Sequence, residues 1–108
     1  MAAQLHGTLD MIILRTLLRG PAHGHGITKL IQRTSENVLR VDHGSLYPAL
    51  HRLERQGWIG SRWEDTDRGR QMRFYRLTRA GRKRLEVEES NWNQLARAIA
   101  SILRPAEE

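Results

Sequence analysis

Five histidines are the residues of this 108-residue chain with metal or proton chemistry to offer, and His23, His25 and His43 fall in one stretch. Two imidazoles at i, i+2 near the start of a helix do not share a face, and no acidic cluster at ligand spacing completes a set. No metal ligand is therefore assigned, and a histidine-based metal sensor is only an alternative. There is no cysteine, which removes disulfide staples, thiolate metal sites and cysteine nucleophiles together. The chain also lacks a nucleophile elbow, a phosphate-cradling glycine loop and carboxylates paired for acid and base roles. The expectation is a protein that is not an enzyme and holds no cofactor.

A different chemistry is concentrated in "GSLYPALHRLERQGWI", residues 44 to 59. Projected at 100° per residue, Leu46, Ala49, Leu50 and Leu53 share one stripe, while Gly44, Pro48, His51 and Arg55 lie opposite, flanked by Tyr47 and Arg52. Arginine suits the paired acceptors of guanine, and the polar groups of this face also hold phosphates. Gly44, without a side chain, lets the backbone approach a phosphate closely. The charge agrees: of the net +6, residues 1 to 39 contribute +2, residues 40 to 84 contribute +7 and residues 85 to 108 contribute −3. A central basic block is the footprint of a polyanion partner, most often nucleic acid. The same face docking on an acidic protein, as an interaction module, is the competing reading.

The elements that must hold this face follow from periodicity. Leu9, Ile12, Ile13, Leu14, Leu17 and Leu18 predict a helix from Thr8 to Arg19, stopped by Gly20 and Pro21. Ile27, Leu30 and Ile31 predict a second, shorter helix within "HGHGITKLIQRTS", and "VLRV" reads as one minor strand. In the third helix Pro48 argues against Asp42 as the cap, since its ring would then press on a helical carbonyl four residues back. With Ser45 as cap, Pro48 is the third helical residue, where its missing N–H has no partner to lose. Gly57 ends that helix. "WIGSRWED" and "QMRFYRLT" flank the polar tip "TDRGR" as a hairpin of imperfect alternation, whose Ile59, Trp63, Phe74 and Tyr75 give enough bulk to pack at least one face. Thr78 then caps a last helix running to about Leu103.

The fold expected is mainly α with a small β-hairpin: a winged helix-turn-helix over residues 1–78, followed by a long C-terminal dimerisation helix over 79–108, in one compact domain. There the N-terminal part of the third helix enters the major groove. Arg68, Arg70 and Arg73 of the hairpin would meet the backbone or minor groove beside it. In the last helix Leu85, Trp92, Leu95, Ile99 and Ile102 fall on an a/d spacing that so small a domain cannot cover alone. A homodimer follows, presenting two reading helices to a palindrome with half-sites about 34 Å apart. "LDMIILRTLL" is broken by Asp10 and Arg15, and the N-terminus has no secretory pattern. The expected location is cytoplasmic, with no membrane contact.

In this order and at these separations "GTLDMIILRTLL", "HGHGI", "GSLYPALHRLERQGWI" and "FYRLTRAG" closely resemble the PadR family of bacterial transcriptional regulators, in its short form with a single C-terminal helix. The likeness runs from about Gly7 to Leu103. It implies a homodimeric repressor of transcription, released from its operator by a ligand or partner at the dimer interface. By position Ser45, Tyr47, Pro48, His51 and Arg52, with the wing arginines Arg68 and Arg70, match the family's DNA-contacting parts. Trp92 matches a tryptophan that lines an apolar pore between subunits in multidrug-sensing members, and so becomes a candidate contact for a small apolar or aromatic effector. One departure stands out: the family often has His-Gly-Tyr where this chain has His23, Gly24, His25, a titratable ring in place of a phenol.

Overall fold

A turn through Leu18 and Arg19 separates the first two helices, and the chain then gains a short strand that no periodicity announces. The computed structural model, which describes the backbone of residues 5 to 106 and the side chains of residues 7 to 106, runs α1 (Leu5–Leu17), β1 (Ala22–His23), α2 (Gly24–Thr34), α3 (His43–Arg55), β2 (Ile59–Asp65), β3 (Gln71–Leu77) and α4 (Arg79–Leu103). The sheet order is β1-β3-β2, antiparallel throughout. Ala22 stands opposite Tyr75 and His23 opposite Phe74, so β3 is the central strand.

The core is where the helical stripes converge. Ile13, Leu14 and Leu17 of α1, Ile27 and Ile31 of α2, and Leu46, Ala49, Leu50 and Leu53 of α3 are buried together with Ile59, Tyr75 and Leu85. Each large side chain of this kind contributes about 1.5–3 kcal/mol on leaving water, which fixes the leucine stripe of α3 inward and its remaining face outward.

Two expectations are corrected. "VLRV" is not a strand: the turn after α2 holds Glu36 and Asn37 at positive φ, and the chain leaves that turn with Val38 and Leu39 exposed. The third strand is Ala22–His23 instead. The cap of α3 is Asp42, not Ser45: the Asp42 carboxylate accepts from the Ser45 N–H at 2.7 Å, and the helix starts at His43. Pro48 therefore sits in the second turn. What it removes is the partner of a single carbonyl, that of Gly44, and Gly44 lies on the exposed side, where that carbonyl is open to solvent. The carboxylate cap outweighs that local loss.

The far end of α3 behaves as the sequence indicates. Gly57 takes φ +77°, its N–H donates to Glu54 and the Trp58 N–H donates to Leu53, both at 3.0 Å, so two terminal carbonyls are satisfied as the chain turns into β2. Thr78 ties the start of α4 to this turn. Its hydroxyl accepts from the Gly81 N–H at 3.0 Å and donates to the Gly57 carbonyl at 2.7 Å. Gly81 is buried flush against the backbone there: a Cβ would stand 2.0 Å from the Trp58 carbonyl oxygen. From this junction α4 extends for about 37 Å, packing on α1 over its first half and projecting beyond it, so the molecule measures 67 × 28 × 23 Å.

Candidate nucleic-acid interface

The outer face of α3 carries Gly44, Ser45, Tyr47, Pro48, His51 and Arg55, all exposed. Tyr47 is only partly free. Its hydroxyl rests on the first residue of α2, where a Cβ on Gly24 would meet the oxygen at 2.5 Å, and its ring meets His43 edge-on at 5.6 Å. From there a row of rings crosses to the sheet: His43 to His25 at 6.4 Å, His25 to His23 at 6.3 Å and parallel, His23 to Phe74 at 5.5 Å. His23 and His25 stack because His23 is not helical. It caps α2 from an extended backbone, its Nδ1 accepting from the Gly26 N–H at 3.0 Å. Among the described residues no group of three or more histidine, aspartate or glutamate side chains is disposed to hold a metal ion.

Two of the expected DNA-contacting arginines are engaged by carboxylates of the same protomer. Arg52 turns toward α1, where its Nη2 donates to Asp10 Oδ1 at 2.8 Å. Arg73 bridges the hairpin to α3: its Nη2 donates to both Glu54 oxygens at 2.9 and 3.1 Å, and its Nε donates to Ser61 Oγ at 2.9 Å. Ser61 in turn donates to Glu54 at 2.5 Å. The Ser61 hydrogen bond, with Arg73 beside it, holds the Glu54 carboxyl below its ordinary range against the opposing effect of burial. Burial pushes the neighbouring Tyr75 phenol up. This network fastens the hairpin alongside the reading helix. A periodicity argument cannot reveal it, since Glu54, Ser61 and Arg73 meet only once three elements are assembled.

The tip of the hairpin is a free part of the basic surface. Arg68 and Arg70 are exposed on a turn closed by the Thr66 N–H to the Arg70 carbonyl at 2.7 Å. Arg62 is occupied by Glu64 at 2.8 Å. Arg55, Arg68 and Arg70 have no acidic partner among the described residues.

On α4 the expected apolar seam divides. Leu85 lies in the protomer's own core, 4 % exposed, and Leu95 is half-buried, whereas Trp92, Ile99 and Ile102 remain exposed together with Val87 and Leu103, which the heptad reading missed. Trp92 and Leu95 also line a cleft of about 440 Å³ between α1 and α4, whose wall includes Met11, Trp58 and the Asp10–Arg52 pair. Arg84 crosses that wall, its guanidinium 4.7 Å from the Trp58 ring centre and hydrogen-bonded to Glu88 at 2.8 Å.

Known proteins share this arrangement. The model of the transcriptional regulator PadR-like family matches residues 13–87. A transcriptional regulator of Mycobacterium tuberculosis is 39% identical over 87 residues, spanning 81% of this chain and 78% of the relative. A solved transcriptional regulator of Clostridium thermocellum superposes with a TM-score of 0.85 at 27% identity, over 93% of this chain and 97% of that one. A PadR-family regulator of Eggerthella lenta gives 0.77 at 30% identity, over 93% and 85%.

Proposed function

Because the chain belongs to the PadR-like family of transcriptional regulators, with the winged helix-turn-helix fold of its solved relatives, we propose that it is a homodimeric repressor that reads a palindromic operator in the cytoplasm. The part up to residue 78 carries the DNA contacts and the helix from 79 onward joins the two copies. Ser45, Tyr47, Pro48 and His51, with Gly44 at the helix entry, form the reading face, while Arg55 at the far end of the helix and Arg68 and Arg70 on the wing hold phosphates beside it. Arg52 and Arg73 act as positioning residues, the first setting α3 against α1 and the second setting the wing against α3. The observation that carries this reading is the Arg73–Glu54–Ser61 network, which keeps a basic wing tip and the exposed face of α3 in one fixed relation.

The dimer is supported by α4: Trp92, Ile99, Ile102 and Leu103 are apolar and exposed on this 25-residue helix. An effector of small apolar or aromatic kind would meet Trp92 and loosen DNA by changing the separation of the two reading heads. Selecting bound duplexes from a random pool tests the proposal. The expected product is a palindrome with half-sites about 34 Å apart or a multiple of that spacing. If no duplex outcompetes bulk DNA, the repressor reading fails.

A further inference from the structure

The hairpin leaves one large apolar residue more than half exposed. Side chains alternate across a strand, so Ile59, Ser61, Trp63 and Asp65 share the face of β2 that turns toward α3, the face from which Ser61 reaches Glu54. Along this row the protein's own cover runs out. Ile59 is 2 % exposed, Ser61 is half-buried, and Trp63 is 59 % exposed. Among the described residues Trp63 is the only large apolar side chain exposed on the hairpin. Its register partner Arg73 faces the same way, with its guanidinium 5.9 Å from the indole centre. That guanidinium is the one clamped to Glu54, so the indole is tied to the reading helix through a single side chain.

We propose that Trp63 is a DNA-contacting residue of the wing, its indole packing on the sugar wall of the groove beside the one that α3 enters. The inference rests on the DNA-binding reading above. Charge complementarity selects DNA as the occupant: across the hairpin, residues 59–77, five arginines outweigh the carboxylates Glu64, Asp65 and Asp67 for a net +2 within the +7 segment, and Arg68 and Arg70 stand at the tip beyond the indole. Apolar side chains laid into the minor groove are an established way to hold a duplex, and contacts of aromatic rings with nucleotides tolerate any sequence. Trp63 therefore strengthens binding at one register without choosing a base. From the sequence alone this tryptophan reads as hairpin packing, because its exposure depends on where α3 stops covering the sheet.

The test uses the full chain labelled with 5-fluorotryptophan and a duplex selected from the random pool. The three tryptophans, Trp58, Trp63 and Trp92, give three fluorine resonances, and Trp63→Phe identifies the one that matters. On adding duplex the Trp63 resonance should move, Trp63→Ala should lose about tenfold in specific affinity, and Trp63→Phe should recover most of it. If the duplex saturates the chain in a gel shift while a folded Trp63→Ala binds within about twofold of the parent, this inference is overturned and DNA binding stands. Should Trp63→Ala fail to fold, the decision passes to Trp63→Phe and the fluorine signal, and a resonance unmoved at saturation overturns the inference. If no duplex binds the parent chain at all, the DNA-binding reading falls and takes this contact with it.

Discussion

Salt dependence puts a number on which cations meet DNA. Every phosphate neutralised by a protein cation releases counterion, so the logarithm of affinity falls with the logarithm of salt at about −0.9 per contact. On the candidate interface Arg52 is taken by Asp10 and Arg73 by Glu54, leaving Arg55, Arg68 and Arg70 without acidic partners among the described residues. Two protomers then supply about six contacts and a slope near −5, which amounts to a loss of roughly a thousandfold between ~50 and ~200 mM salt. Were Arg52 and Arg73 on phosphates as well, the slope would approach about −9. Arg70→Ala removes one contact per protomer and should bring the slope to about −3.6, weakening specific and non-specific duplexes alike. Fluorescence anisotropy of a labelled operator across a salt series reads this directly. A parent slope shallower than about −2, or one that Arg70→Ala leaves unchanged, refutes the assignment of free and occupied arginines.

Three further outcomes are expected. Gly81→Ala should destabilise by at least about 2 kcal/mol, even after the ~1 kcal/mol gained in helix propensity, because the Trp58 carbonyl cannot step aside; Gly26→Ala, whose nearest neighbours are His23 ring atoms at 3.4 Å, should stay within about 0.5 kcal/mol, and thermal unfolding compares the two. Glu54 titrates below its unfolded value of 4.5 in the folded chain, so its stabilising share is complete above that value and is lost as pH falls through the lower folded one; the stability gap between parent and Glu54→Gln should therefore narrow below about pH 4.5 in a denaturation series. Ile99→Asp should yield monomers that bind operator poorly, and light scattering that still finds dimers would remove α4 from the interface.

Much of this fold is legible in local patterns, and the exceptions have physical causes. The leucine stripe of α3, the Gly57 stop, the two hairpin runs and the Thr78 cap all follow from periods of 3.6 and 2 and from terminal chemistry, and each lies where the sequence places it. Ala22–His23 escapes notice because a two-residue strand has no period; only pairing with β3 creates it. The start of α3 is misjudged because a rule about proline is applied without the competing carboxylate of Asp42 and the exposed glycine that absorbs the conflict. At the interface, helical projection separates the inward residues of α3 from the outward ones. It says nothing about the partners Arg52, Arg73 and Leu85 find on other elements, which decide whether an outward or seam residue remains available.

The closeness of α4 to the Trp58 carbonyl has a consequence for the assembly. The end of α3, the root of the wing and the first turn of α4 radiate from one hub, held by Thr78 to Gly57 and sealed by the absent side chain of Gly81. Such a hub has no slack segment where a rotation would dissipate. For two copies joined through α4, the gap between their reading helices would then be set only where the two α4 helices meet, like the distance between the pins of a plug. Operators with other spacings would be refused by geometry before any base is consulted.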